Sequence, residues 1–131
     1  MKHTGYLPII KKNIKYDIQK IESSESMLNI LYKAIECKTV ERVYINEKYD
    51  LIIDEEGLFK DSNTTGIQIL SFPDERMREN VFVGNLAIVK KAENEDGEIY
   101  WTLFENENEA NDLLSTYFEK LRKVDLTHYT F

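Results

Sequence analysis

The residues best suited to contact a ligand lie between positions 76 and 85. Arg76 and Arg78 carry two of the four guanidinium groups of the chain, and such planar forks bind phosphate oxygens. Phe82 offers a ring that can stack on a base, and Asn85 offers an amide that can hydrogen-bond the edge of a base. These types and spacings predict a nucleotide site, to which Arg42 of a neighbouring subunit can add. In the alternative, which is the commoner case for such residues, Phe82 packs in the core and the arginines are solvated.

The acidic run Asp54-Glu55-Glu56 is a second candidate, because hard divalent cations take oxygen ligands. Consecutive residues in a turn rarely converge on one point, however, and the run has none of the alternating spacing of a calcium loop. A metal-assisted hydrolase centred on these acids is therefore the least favoured function. We expect exposed turn acids, no metal and no cofactor.

Histidine and cysteine give little support for catalysis. His3 and His128 lie in terminal segments, and Cys37, the single cysteine, has no histidine placed by the sequence to activate it. One cysteine also excludes an intramolecular disulfide and fits a reducing cytoplasm. The sequence therefore predicts a protein that is not an enzyme and that works in the cytoplasm of its host cell.

Charge and hydropathy exclude two further classes of partner. The chain of 131 residues has 24 acidic and 17 basic residues, with a net charge of −7. Binding to a nucleic-acid backbone requires clustered basic residues, which are absent from the sequence. No apolar stretch approaches the roughly 20 residues that span a bilayer, and no signal peptide is evident. We expect binding to neither nucleic-acid backbone nor membrane.

The hydrophobic pattern predicts a single α+β domain over residues 1–131. Its mostly antiparallel sheet has about five strands, with one helix after the first strand and a C-terminal helix. The predicted elements are a strand within 9–21, a helix over about 25–36, a β-meander over 39–61, a hairpin of strands 81–91 and 98–104, and a helix from 106 to 123.

Turn residues mark the joints between these elements. Asn-Glu-Asp-Gly at 94–97 favours a hairpin, and Asn106 with Glu109 resembles a capping box at the start of a helix. Tyr100 and Trp101 alternate in a strand, so one of them is expected to be available to a partner. Residues 61–80 have a loop-like composition, either a mobile loop or a lid. Residues 1–8 and 124–131 are expected to be flexible tails or oligomer contacts.

The order helix, VERVYI, DLIIDEEGLFKDSN, VFVGNLAIVK, charged hairpin and C-terminal helix resembles an uncharacterised family of small proteins encoded by phages, prophages and plasmids. Members of that family have a strand ending in Asn- or Asp-Glu-Glu-Gly. The resemblance covers about Lys12 to Leu114. Paired glycines of the family are replaced here by Glu36-Cys37-Lys38. The matching positions are Glu41, Asp54, Glu55, Glu56, Gly57, Asn63 and Gly84.

The resemblance implies an accessory protein of a mobile element that counters host immunity by binding. The first hypothesis is an oligomer that sequesters a small nucleotide signal, using Arg76, Arg78, Phe82, Asn85 and Arg42. The alternative is an inhibitor or acidic decoy that binds a host defence protein through the acidic helix and the Tyr-Phe tail. A homo-oligomer is expected under the first hypothesis.

Overall fold

The computed structural model describes residues 2–60 and 64–128, and it confirms an α+β fold with mostly antiparallel strands. Asn63 lies outside the described residues, as do the last three residues of the predicted Tyr-Phe tail. The described part of the chain has more strands than the five expected. Its strands are β1 (His3–Ile10), β2 (Tyr16–Ser23), β3 (Val40–Tyr44), β4 (Tyr49–Asp54), β5 (Thr65–Ile69), β6 (Phe82–Val83), β7 (Leu86–Glu93), β8 (Ile99–Thr102) and β9 (Leu121–Asp125), and its helices are α1 (Met27–Ile35) and α2 (Glu107–Tyr117).

The strands form two sheets. The larger has the order β2-β1-β7-β4-β3, with β8 pairing the far half of β7, and the smaller has the order β6-β5-β9. β1 and β8 lie on the same side of β7, because β4 occupies the other side at Ala87, which pairs with β1, and at Lys90, which pairs with β8. This arrangement leaves space between the first residues of β1 and the outer edge of β8.

The larger sheet is covered on both faces. Apolar residues of β1, β4 and β7 alternate between two buried clusters, as the two-residue period of a strand requires. One cluster packs under α1, and the other packs against α2 and the smaller sheet. Each fully buried Leu, Ile or Phe side chain contributes about 1.5–3 kcal/mol relative to exposure.

Each helix begins at a polar cap, which is Asn106 as predicted for the C-terminal helix and Ser26, inside the predicted helix of about 25–36, for α1. The Ser26 hydroxyl accepts a hydrogen bond from the amide of Asn29, and the Asn106 side chain accepts from the amides of Asn108 and Glu109. The C-terminal helix ends at Tyr117, however, and not at Lys123. The prediction was wrong there because Leu121 belongs to β9, which pairs with β5 across a long sequence separation.

Three other boundaries differ from the prediction. Residues 9–21 are not one strand but parts of the β1–β2 hairpin. The supposed loop 61–80 contains β5, whose Ile67 and Ile69 are fully buried in the core. The predicted strand 81–91 is two strands, separated at Gly84, whose φ of +96° allows the chain to pass from one sheet to the other.

The terminal segments are largely structured. Residues 3–8 form most of β1, and residues 124–125 complete β9, so these parts are not free tails. Within the described ranges, neither helix has the length and apolar character needed to cross a bilayer.

Candidate functional site

A cavity of about 500 Å³ lies between the start of β1 and the outer edge of β8. We call it the β1–β8 cavity. Its walls are formed by Lys2, His3, Thr4, Asn94, Tyr100, Trp101, Thr102 and Leu103.

Next to the cavity the two segments are joined by backbone hydrogen bonds. The amide of Tyr6 donates to the carbonyl oxygen of Phe104 at 2.7 Å, and the amide of Phe104 donates back at 2.9 Å. Gly5 permits this approach: a Cβ atom at that position would lie 2.5 Å from the Phe104 carbonyl oxygen. Beyond this contact the segments separate, and the resulting gap is the cavity.

The walls combine aromatic rings with basic groups. Tyr100 is 51% exposed and Trp101 is partly buried, which confirms that one aromatic residue of β8 is exposed. Lys2 lies 2.6 Å from Glu22 in an exposed ion pair, an interaction that contributes about 0–1 kcal/mol. The Asn94 oxygen accepts the amides of Asp96 and Glu98, so this residue mainly shapes the hairpin turn.

The absence of carboxylates from the described walls distinguishes the β1–β8 cavity. Four other cavities in the described part of the chain each have at least one carboxylate in their walls. The most acidic, of about 600 Å³ beside α2, includes Glu47, Glu109 and Asp112. There the Tyr49 hydroxyl donates to Glu109 at 3.0 Å, and Lys90 pairs with the same carboxylate at 3.0 Å.

The environment of Tyr49 predicts that the folded protein loses stability at alkaline pH. Burial, with the hydrogen bond to Glu109, raises the pKa of Tyr49 from 10.0 to about 12. Between these values the unfolded chain ionises Tyr49 whereas the folded chain keeps it neutral, so the free energy of unfolding falls as the pH rises. We expect Tyr49→Phe to flatten this fall in urea unfolding measured from pH 9 to pH 12. Identical slopes for the two proteins would contradict the assignment.

The arginines of the predicted nucleotide site do not converge. Arg76 has a 90% exposed side chain and lies 3.6 Å from Asp74 in the same turn. Arg78 uses its Nε atom to donate to the carbonyl oxygen of Phe72 at 2.7 Å, which fixes the loop. Arg42 lies on β3, 3.8 Å from Asp50.

The two remaining predicted residues, Phe82 and Asn85, also lie in different surroundings. Phe82 is 5% exposed and belongs to the core, so its ring is not open to a stacking base. Asn85 accepts the amide of Lys12 at 2.9 Å and donates to Glu36 at 3.1 Å, in a small cleft whose wall includes none of the three arginines. The five residues predicted as one site thus lie in different surroundings.

The acidic run shapes a turn in which Glu55 and Glu56 are exposed, as expected. The expectation of exposure was wrong for Asp54, because its carboxylate bonds the turn and Lys60. Asp54 is buried, accepts the amide of Glu56 at 3.0 Å and forms an ion pair with Lys60. Burial raises the pKa of the nearby Cys37 thiol, and the Asp54 carboxylate adds to that rise. In the residues that the structure describes, no three His, Cys, Asp or Glu side chains are grouped so that they could hold a metal ion.

Sequence reasoning missed most of the β1–β8 cavity. Lys2 and His3 are single polar residues near the start of the chain, and nothing local predicts that they lie beside β8, about a hundred residues away. The alternation of Tyr100 and Trp101 was the one usable signal.

Comparison with known proteins assigns the chain to a family. No curated protein and no solved structure matches it. The family described as a domain of unknown function, DUF3846, matches residues 6–102, which is more than half of the chain and includes the second part of β1, all of β8 and the Asp54 turn. The chain therefore belongs to the DUF3846 family.

Proposed function

We propose that the chain is a non-enzymatic binding protein that captures a small nucleotide in the β1–β8 cavity. In the cytoplasm of a host cell, as an oligomer encoded by a mobile element, it would sequester a nucleotide signal of host immunity. The observation that carries the proposal is a wall with basic and aromatic residues but no carboxylate in its described part, in a chain with a net charge of −7.

Electrostatics favours this cavity for a phosphate-bearing ligand. A phosphate 4 Å from a carboxylate is opposed by about 1 kcal/mol in water and by about 4 kcal/mol near a protein surface. The four other cavities impose this repulsion through their acids. In the β1–β8 cavity Lys2 attracts the phosphate. The Glu22 carboxylate, 2.6 Å from the Lys2 ammonium, is not part of the wall, and breaking this exposed ion pair costs little.

Stacking supplies the second contribution. The exposed ring of Tyr100 can take a base on its face, and stacking of one base on an aromatic side chain is worth about 1–3 kcal/mol. Hydroxyl groups of Thr4 and Thr102, in the same wall, can bond a ribose or the edge of a base. The volume of about 500 Å³ lies within the usual range for small-molecule sites.

The same wall favours capture over turnover. His3 is the one histidine in it, and the described wall has no carboxylate that could orient its ring as a general base. The ligand would therefore be bound and released unchanged.

A thermal-shift screen tests the proposal. AMP, cyclic AMP, cyclic di-AMP and ADP-ribose are each added to the wild-type protein, and at least one is expected to raise Tm, because a ligand selective for the folded state stabilises it by mass action. Tyr100→Ala should weaken binding by about tenfold, since it removes a stacking contact of about 1–3 kcal/mol. Arg76→Gln serves as the control and should bind as the wild type does.

The two variants separate two sites. Loss of binding in Arg76→Gln but not in Tyr100→Ala would place the ligand at the arginine loop and contradict the cavity. A protein that responds to none of the four nucleotides would contradict nucleotide capture altogether. The alternative function would then be that of an inhibitor that binds a host protein, which is favoured by the 81% exposed ring of Phe59 beside the exposed Leu58. Light scattering of the same samples reports the oligomeric state.

A further inference from the structure

The indole ring of Trp101 is fixed by a carboxylate that is completely buried. Its Nε1 atom donates to Oδ2 of Asp50 at 3.0 Å, and Asp50 is 0% exposed. A buried acceptor with this geometry restricts both rotation and tilt of the indole. Trp101 therefore contributes a rigid wall to the β1–β8 cavity, whereas the neighbouring Tyr100 is half exposed.

The register of three strands places these groups together. In the larger sheet Lys91 of β7 is paired with Trp101 of β8, and Asp50 of β4 is paired with Val89 of β7. Directly paired residues, and residues two positions apart on one strand, point to the same face. Asp50, Lys91 and Trp101 consequently meet on the face of the sheet that α1 packs on, where Trp101 lies against the cluster under α1.

The carboxylate is itself held in position by cations. Its Oδ1 atom lies 3.2 Å from the ammonium group of Lys91, which is nearly buried, and its Oδ2 atom lies 3.8 Å from Arg42. The Lys91 ammonium also lies 4.4 Å from the centre of the Tyr44 ring. These contacts leave the charge of Asp50 compensated and its position determined.

We propose that Asp50 is a positioning residue for the ligand site: it holds Trp101 in the orientation that forms the cavity wall. The effect of this positioning on the affinity for a ligand rests on the proposed function. A wall that is already ordered before binding avoids the entropic cost of ordering it on binding. Asp50 does not touch the ligand and acts through the indole alone.

Two substitutions of Asp50 separate positioning from general stability. Asp50→Ala and Asp50→Asn both remove the negative charge that balances Lys91 and Arg42, so both should lower Tm. Only Asp50→Asn keeps a side-chain oxygen that can accept the indole N–H. The chain has one tryptophan, so its fluorescence reports Trp101 alone.

Quenching by acrylamide is measured without ligand, and affinities for the four nucleotides are measured by calorimetry below the Tm of each variant. We expect Asp50→Ala to increase quenching and to weaken nucleotide binding about fivefold, the equivalent of one hydrogen bond. Asp50→Asn should keep both quenching and affinity near the wild type. Trp101→Phe keeps an aromatic wall but lacks the N–H, so adding Asp50→Ala to it should cause no further loss of affinity.

Several results would overturn the inference. Unchanged quenching in Asp50→Ala would show that the carboxylate does not fix the ring. Equal loss of affinity in Asp50→Asn and Asp50→Ala would assign the effect to charge or stability. Failure of the wild type to bind any nucleotide overturns the proposed function alone, because the ligand-free quenching still decides whether Asp50 fixes Trp101.

Discussion

Replacing Phe104 with alanine is expected to lower the free energy of unfolding by about 3–5 kcal/mol. Phe104 is fully buried in the cluster under α2, and its ring stacks on Tyr49 with a centroid distance of 5.6 Å and an angle of 8° between the planes. Truncation removes this contact and leaves a void that the closely packed surroundings fill only in part. Urea unfolding of the two proteins measures the difference.

Phe59→Ala is the matched control, because it makes the same chemical change at a ring that is 81% exposed. We expect its effect to be within about 0.5 kcal/mol. A loss of less than about 1 kcal/mol in Phe104→Ala would contradict the placement of its ring in the core, since full truncation of a buried Phe costs several times more.

The contrast between these rings shows what the sequence could not decide. Phe59, Phe82 and Phe104 each follow an apolar residue or lie beside one in a strand-like run. Local pattern alone gives no reason why the first is exposed and the other two are buried. The backbone of Phe104 pairs with that of Tyr6, almost a hundred residues earlier in the chain, and its ring stacks on Tyr49.

Elements with local signals were predicted well. In the β7–β8 turn the Asn94 side chain accepts a hydrogen bond from the amide of Asp96, and Gly97 adopts a φ of +81°. Asn106 caps its helix as expected. In each case the decisive interaction lies within four residues, so the information is contained in a short window of sequence.

Elements that depend on distant pairing were missed. The loop-like composition of residues 61–80 predicts a loop there, yet β5 lies between β6 and β9 in the smaller sheet. The candidate site depends on the same kind of pairing, because Lys2 and Tyr100 share a wall only through the separation of β1 from β8. Long-range pairing is determined by the whole chain and leaves little trace in local composition.

Lys91→Met is expected to cost about 3 kcal/mol of stability, because removing one member of a buried ion pair leaves the other charge uncompensated. Lys91 has an 8% exposed side chain, and its ammonium lies 3.2 Å from Oδ1 of the fully buried Asp50. Arg42 offers only partial replacement, since it lies at 3.8 Å and its side chain is mostly solvated. Urea unfolding at pH 7 measures the loss, and Lys20→Met, at an exposed position of β2, is the control.

If the cost comes from the stranded charge, removing that charge should restore stability. The double variant Asp50→Asn with Lys91→Met should therefore be more stable than Lys91→Met alone, although it has lost one more native side chain. A double variant less stable than either single variant would mean that packing of the lysine stem, and not its charge, is what stabilises this face of the sheet.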